Sequence, residues 1–311
     1  MALEQLLLVV VVVGMQQAVT VALAAEGELI TEKSGIINIG IEGTMLISAF
    51  MGGFVNWFTE GTVGIYSPLL GLLGGAAIGM VLNFIFAFIS TKLHVDQVIA
   101  GIGINVFAGG ITVLGVIGTG VLAKSPTVNS TPLANQMPSL FYIPGLASSG
   151  GISPLEILMF ISPLLAYFLL YRTRFGLHIR AVGENPKAAE AAGLNVARTR
   201  ILATAVGGAF LGMSGAYLSV VLSNYFVRGM TRGLGFIALS AVIAGAWSPV
   251  WVLGVSILFG LSWGVYVQFN SALGLTFLFG SLPYLVTVVV LSISSRRLRP
   301  PAALGLPYRK E

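Results

Sequence analysis

The chain contains no cysteine, so disulfides, thiol nucleophiles and thiolate metal sites are excluded. Charge is scarce too: Asp, Glu, Lys and Arg make up 9% of the 311 residues, against about 25% in a soluble domain. No Lys or Arg precedes Lys33. A secretory signal needs a basic start, so the apolar run 5–25 reads as a retained span. No Gly-Lys dipeptide occurs, which removes a phosphate-binding P-loop. The two histidines, His94 and His178, lie far apart, and no H-E-x-x-H pattern is present. Gly101-Ile102-Gly103-Ile104-Asn105-Val106 begins like a dinucleotide fingerprint but lacks the last glycine and the strand–helix setting. These absences argue against an enzyme and against ATP binding by this chain.

What the sequence does hold is apolar: 56% of residues are hydrophobic, and the mean hydropathy is +0.94. The expected fold is all-α: one polytopic transmembrane bundle over residues 1–311, with about 8–10 spans. Apolar windows fall near 5–25, 36–57, 67–90, 98–122, 153–171, 201–222, 234–247, 250–268 and 276–295. The window 234–247 is short and predicts a broken or re-entrant segment. Gly71, Gly75 and Gly79 recur four apart, and Gly208 and Gly212 repeat the spacing, which predicts close helix packing.

Orientation follows from the basic residues. Arg172, Arg174, Arg180, Lys187, Arg198 and Arg200 crowd the loop 172–200, and Arg296, Arg297, Arg299, Arg309 and Lys310 crowd the tail 296–311. Both are expected on the cytoplasmic side, with the loop 123–150 and its Phe141-Tyr142 pair outside. The net charge of +5 is then a loop bias and not a nucleic-acid signal.

Two polar stretches stand out. In the first, Asn185 is a natural N-cap, Pro186 fits the first helical position, and the alanines up to Ala192 favour helix. Gly193 is a natural stop. The result is a helix of about seven residues, roughly 10 Å long. Pattern alone leaves two readings open: a docking element for a partner, or an ordinary loop. The second stretch is Glu32-Lys33-Ser34-Gly35-Ile36-Ile37-Asn38-Ile39-Gly40-Ile41-Glu42-Gly43. A carboxylate at membrane depth normally faces a cavity or a partner. In a helix, Asn38 and Glu42 would share a face. They read as a polar patch on a translocation path, or else Glu42 caps a helix start. Asn105 is a further path candidate. Asp96 reads as a cap on the span that follows it. Arg228 and Arg232 flank an external turn after Tyr225-Phe226, where they would meet a partner or anchor the interface.

These pieces resemble a known family. Ala181-Val182-Gly183-Glu184-Asn185-Pro186-Lys187-Ala188-Ala189-Glu190-Ala191-Ala192-Gly193 is similar to the coupling loop of ABC importer permeases. Ser34–Gly43 resembles the first-half signature of the simple-sugar and nucleoside permease branch. The run Gly233–Pro249 resembles its second-half signature, which adds Phe236 and Ser240 to the path candidates, and His94–Ile99 is a further match. The resemblance spans about residues 10–297 and implies alternating access around a midplane site.

It further implies a bacterial plasma-membrane subunit that binds no cofactor itself. The expected partners are a related, longer second permease, a cytoplasmic ABC ATPase carrying ATP and Mg, and an external substrate-binding lipoprotein or periplasmic binding protein. Residues Glu184 to Gly193 would form the ATPase contact. The substrate would be a nucleoside, purine nucleosides first, or a simple sugar. An ion-coupled transporter or channel working alone is the alternative, and it would favour more buried ionisable residues and leave a capped docking helix without a purpose.

Overall fold

The computed structural model describes residues 3–119, 154–223, 225–273, 281–294 and 299–308. The loop 123–150 with Phe141 and Tyr142, and the tail residues Arg296, Arg297, Arg309 and Lys310, lie outside the described residues. All regular structure among the described residues is helical. In order, the helices are α1 (Leu3–Glu32), α2 (Ile41–Val63), α3 (Ser67–Lys92), α4 (Gln97–Gly118), α5 (Leu158–Arg172), α6 (Arg174–Glu184), α7 (Pro186–Ala191), α8 (Val196–Tyr217), α9 (Leu234–Ala244), α10 (Pro249–Leu273) and α11 (Leu282–Ser294). A π turn, Leu218–Leu222, continues α8.

Every apolar window contains a helix. Among the described residues, six helical stretches are long and apolar enough to cross a membrane. α2 is less apolar because Glu42 and Glu60 sit near its ends, but its 23 residues reach about 34 Å. Leu234–Ala244 and Leu282–Ile293 are shorter apolar helices. The 11 residues of α9 extend only about 16 Å, roughly half the hydrocarbon thickness. The expectation of a broken segment at 234–247 is therefore met.

α1 and α8 form the centre of the bundle and pack on each other, with α3 and α2 against α8 and α10 against α1. The predicted glycine rows turn out to be partners. A Cβ on Gly79 would lie 2.3 Å from the Gly208 carbonyl oxygen, and one on Gly212 would lie 2.1 Å from that of Gly75. Backbone touches backbone there, so dispersion replaces the hydrophobic drive that lipid does not supply. α4 is the contrast: Ile102, Val106, Phe107, Leu114 and Ile117 are all exposed. Such a surface needs lipid or another subunit against it.

Candidate functional site

α7 forms as its residues dictate. The Asn185 side chain accepts from the Ala188 N–H at 3.0 Å, and Pro186 follows at the first helical position. Gly193 takes φ +85°, and the Gly193 and Leu194 N–H groups close on the Glu190 and Ala189 carbonyls at 2.8 and 3.0 Å. Lys187, Ala188, Ala191, Ala192 and Gly193 are exposed, together with Glu184 and Asn185. Ala189 is buried against Val182 and Val196 with Tyr308 beside them, and Glu190 accepts a hydrogen bond from the Tyr308 hydroxyl. Two of the expected contact residues thus face inward, and the open face is narrower than Glu184 to Gly193.

The tail 299–308 lies over this helix and ties it to the break between α1 and α2. Ala303 N–H donates to Gly183 O at 2.9 Å, and Gly305 N–H donates to Gly35 O at 3.0 Å. Arg200, only 2% exposed, donates from Nε to Ser34 O and from Nη1 to Leu306 O, each at 3.1 Å. Lys33 lies behind Gly183: a Cβ on Gly183 would lie 2.1 Å from the Lys33 carbonyl oxygen. Burial lowers the pKa of the Lys33 ammonium from its ordinary value; Glu184 opposes the shift and Arg180 adds to it.

The break itself, residues 33–40, is turn and irregular backbone inside a helical bundle, where each N–H and C=O needs a partner. Side chains supply them. Asn38 N–H donates to Glu28 Oε1 at 3.0 Å, and Ile37 N–H to Gln97 Oε1 at 2.8 Å. The Asn38 amide accepts from Gly40 N–H at 2.9 Å and donates to Asn83 Oδ1 at 2.6 Å. Asn105 bridges the break, donating to Ile39 O at 2.9 Å and accepting from Gly43 N–H at 2.7 Å. Asn38 therefore lies outside any helix, fully buried, and does not share a helix face with Glu42. Asp96 caps α4 as expected, accepting from Val98 and Ile99 N–H at 2.8 and 3.1 Å.

Glu42 does cap a helix start, but not its own. Its Oε1 accepts from Gly233 N–H at 2.7 Å and its Oε2 from Gly235 N–H at 2.8 Å, so one carboxylate holds the N-terminus of α9. The negative charge meets the positive end of the helix dipole. Gly233, at φ +82°, makes the turn that presents both N–H groups. At the other end of α9, Ala246 and Trp247 take φ of +50° and +54°, and the Trp247 indole N–H donates to Glu32. The two carboxylates flanking the break thus grip both ends of the half-length helix. Phe236 is 44% exposed, and Ser240 is half-buried with its hydroxyl donating to Phe236 O at 2.9 Å. Four residues apart, they share one face of α9 that the described residues cover only in part.

Sequence reasoning missed Arg200, Glu32, Trp247, Asn83 and Tyr308. Arg200 looked like one more positive loop charge. Trp247 and Tyr308 carry no local pattern that distinguishes them from other aromatics. Among the described residues, no group of three or more His, Asp or Glu side chains is arranged to hold a metal ion.

What fold and site define is a helical membrane protein whose buried polar groups hold irregular backbone and a half-length helix. Residues 10–293 match the family described as branched-chain amino acid transport system / permease component, and the chain belongs to it. It is a permease subunit of an ABC transporter. The guanosine ABC transporter permease NupQ of Bacillus subtilis is 32% identical over 330 residues, covering 100% of this chain and 99% of that protein. The nucleoside ABC transporter permease NupC of Lactococcus lactis is 32% identical over 296 residues, 91% of each chain. TsgC13 of Haloferax volcanii, named for a glucose ABC transporter, is 33% identical over 326 residues, 95% of this chain and 96% of that one. Such relatives come in pairs: the guanosine transporter of B. subtilis has a second permease, NupP, 28% identical over 232 residues, 73% of this chain and 65% of that one.

Proposed function

We propose that this chain forms half of the translocation pathway of a bacterial plasma-membrane importer for nucleosides, working by alternating access beside a second, longer permease. The exposed face of α7, Lys187 with Ala188, Ala191 and Ala192, docks a cytoplasmic ATPase that carries ATP and Mg. Loop 172–200 and the tail then lie in the cytoplasm, and an external binding protein delivers substrate on the opposite side. Phe236 and Ser240 face the pathway from α9. Glu42 acts as the hinge that holds α9, while Asn38 and Asn105 position the break.

One observation carries the reading: the contacts run without a gap from α7 to α9. Tyr308 reaches α7, Arg200 joins the tail to the break, and Glu32 and Glu42 join the break to α9. A movement imposed on α7 would be passed to the half-length helix along this line of polar contacts. The matches to guanosine and nucleoside permeases support a nucleoside substrate, and the equally long match to the glucose relative makes a simple sugar the second reading.

The test is reconstitution. Uptake should require ATP and an ATPase that co-purifies with the chain. Ion-gradient-driven uptake by the chain alone in liposomes would overturn the importer reading. Binding of a nucleoside and sugar panel to the external binding protein tests the substrate class.

A further inference from the structure

The last turn of α3 and the first turn of α8 lie side by side. Gly79 packs on Gly208 and Gly75 on Gly212, so the two helices run antiparallel with these ends together. Each helix carries a cation there, with apolar residues on the same face further along. On α3, Met80, Phe84, Phe88 and Lys92 recur four apart, and all four are exposed. The Phe84 and Phe88 rings stack at 6.4 Å between centroids. On α8, Arg198 and Leu202 are four apart and exposed in the same way.

An open groove of about 270 Å³ joins the two rows, lined by Phe84, Lys92, Asn195, Arg198, Ile201 and Leu202. Two cations and no carboxylate line it. The volume is below that of an enclosed small-ligand pocket, which begins at about 300 Å³. The groove instead suits a molecule held at one end, with the rest lying on exposed apolar surface.

The charge pattern says which molecule. A groove facing only water has no use for the apolar rows, and one facing only lipid tails has no use for the cations. Together they match an amphiphile with an anionic head. Its phosphate would take charge-assisted hydrogen bonds from Lys92 and Arg198, and its chains would lie along Phe84, Phe88 and Leu202. Basic pockets between spans on the cytoplasmic side bind anionic lipid headgroups in this way.

The groove also adjoins the coupling region. Lys92 and Asn195 line a second hollow of about 500 Å³, which Glu190, Leu194 and Tyr308 close from the α7 side. Lys92 and Asn195 thus stand between the groove and the base of α7.

Resting on the cytoplasmic placement of loop 172–200 in the importer reading, we propose that this groove binds an anionic phospholipid of the cytoplasmic leaflet, which steadies the α3–α8 seam beside α7. The test uses the complete importer purified in mild detergent, with native mass spectrometry counting the phosphatidylglycerol that stays bound. Lys92→Gln combined with Arg198→Gln should lose one such lipid for each copy of this chain. Arg172→Gln combined with Arg174→Gln, an equal loss of charge outside the groove, should lose none. Phe84→Ala should weaken retention as well, an effect a free phosphate ion would not show. If the Lys92 and Arg198 double variant does not assemble, Lys92→Gln alone and Phe84→Ala decide. Equal phosphatidylglycerol in wild type and these variants overturns the site. So does retention abolished by excess inorganic phosphate, which gives the groove to a free anion. In nanodiscs, phosphatidylglycerol in place of phosphatidylcholine should raise ATPase activity in wild type and not in the double variant; an equal rise in both overturns the link to α7. The chain has no native cysteine. Labelling of Arg174→Cys by an impermeant maleimide from outside intact cells would therefore overturn the cytoplasmic placement, while the lipid count still decides the groove.

Discussion

α7 and α9 are both too short to be stable alone, at 6 and 11 residues, and they are held in opposite ways. α7 is closed by its own neighbours: Asn185 caps one end and Gly193 stops the other. Its exposed termini can also turn to water. α9 starts and ends inside the bundle, where an open N–H or C=O has no solvent to turn to. Its N-terminal donors are met by Glu42, 191 and 193 residues away in sequence, and its terminal turn by Glu32, 215 residues away. A helix at the water surface can be local; a half-helix within a membrane bundle must be held by the rest of the chain. That dependence is also what lets the rest of the chain control it.

The contrast breaks most strongly at Glu42. Glu42→Ala leaves two backbone N–H groups without an acceptor, at about 1–3 kcal/mol each. The expected result is a loss of about 2–6 kcal/mol in unfolding measured in detergent or nanodiscs, with transport abolished. Glu42→Gln keeps one acceptor oxygen and should lose about half as much. A Glu42→Ala protein with wild-type stability would show that α9 does not depend on this cap. Next comes Trp247→Phe, which removes the indole donor to Glu32 and should cost about 1–3 kcal/mol by the same measurement.

The same contrast explains what could be read in the sequence. The α7 caps lie within three residues of their targets, so Asn185, Pro186 and Gly193 announce them. The glycine rows of α3 and α8 announce close packing, because small residues four apart have few other uses in a span. Their pairing with each other, and the grip of Glu42 on Gly233, are tertiary facts with no periodic signal. Asn38 shows how local reasoning goes astray. A helical reading puts it on one face with Glu42, whereas the break leaves its backbone outside any helix and turns its amide to hold that break.

At the α7 end, effects on the fold should be smaller. Tyr308→Phe removes the hydroxyl that reaches Glu190, costing about 1 kcal/mol or less. Glu190→Arg loses the same contact and adds a positive charge there. Both should leave the bundle folded in unfolding curves while weakening ATPase co-purification. A full, wild-type yield of co-purified ATPase from Glu190→Arg would separate the tail from coupling. Asn185→Ala should fray α7 by about 1 kcal/mol, seen as faster amide exchange confined to residues near 186–192.

The smallest effect is expected where the two regions meet, at Lys33. Burial lowers its pKa in the folded protein, whereas the unfolded chain keeps the ordinary value of 10.5. Between the lowered value and 10.5 the unfolded chain binds more protons, so stability rises with pH across that window. Below the window both states are protonated and the charged Lys33 is a constant penalty on the fold. Lys33→Met removes the titration. Its stability should exceed that of wild type near neutral pH, and the difference should shrink as pH climbs toward 10.5. Two curves that stay parallel through the alkaline range would mean that the Lys33 ammonium is solvated like any surface lysine, and that the junction between tail and break is looser than its hydrogen bonds imply.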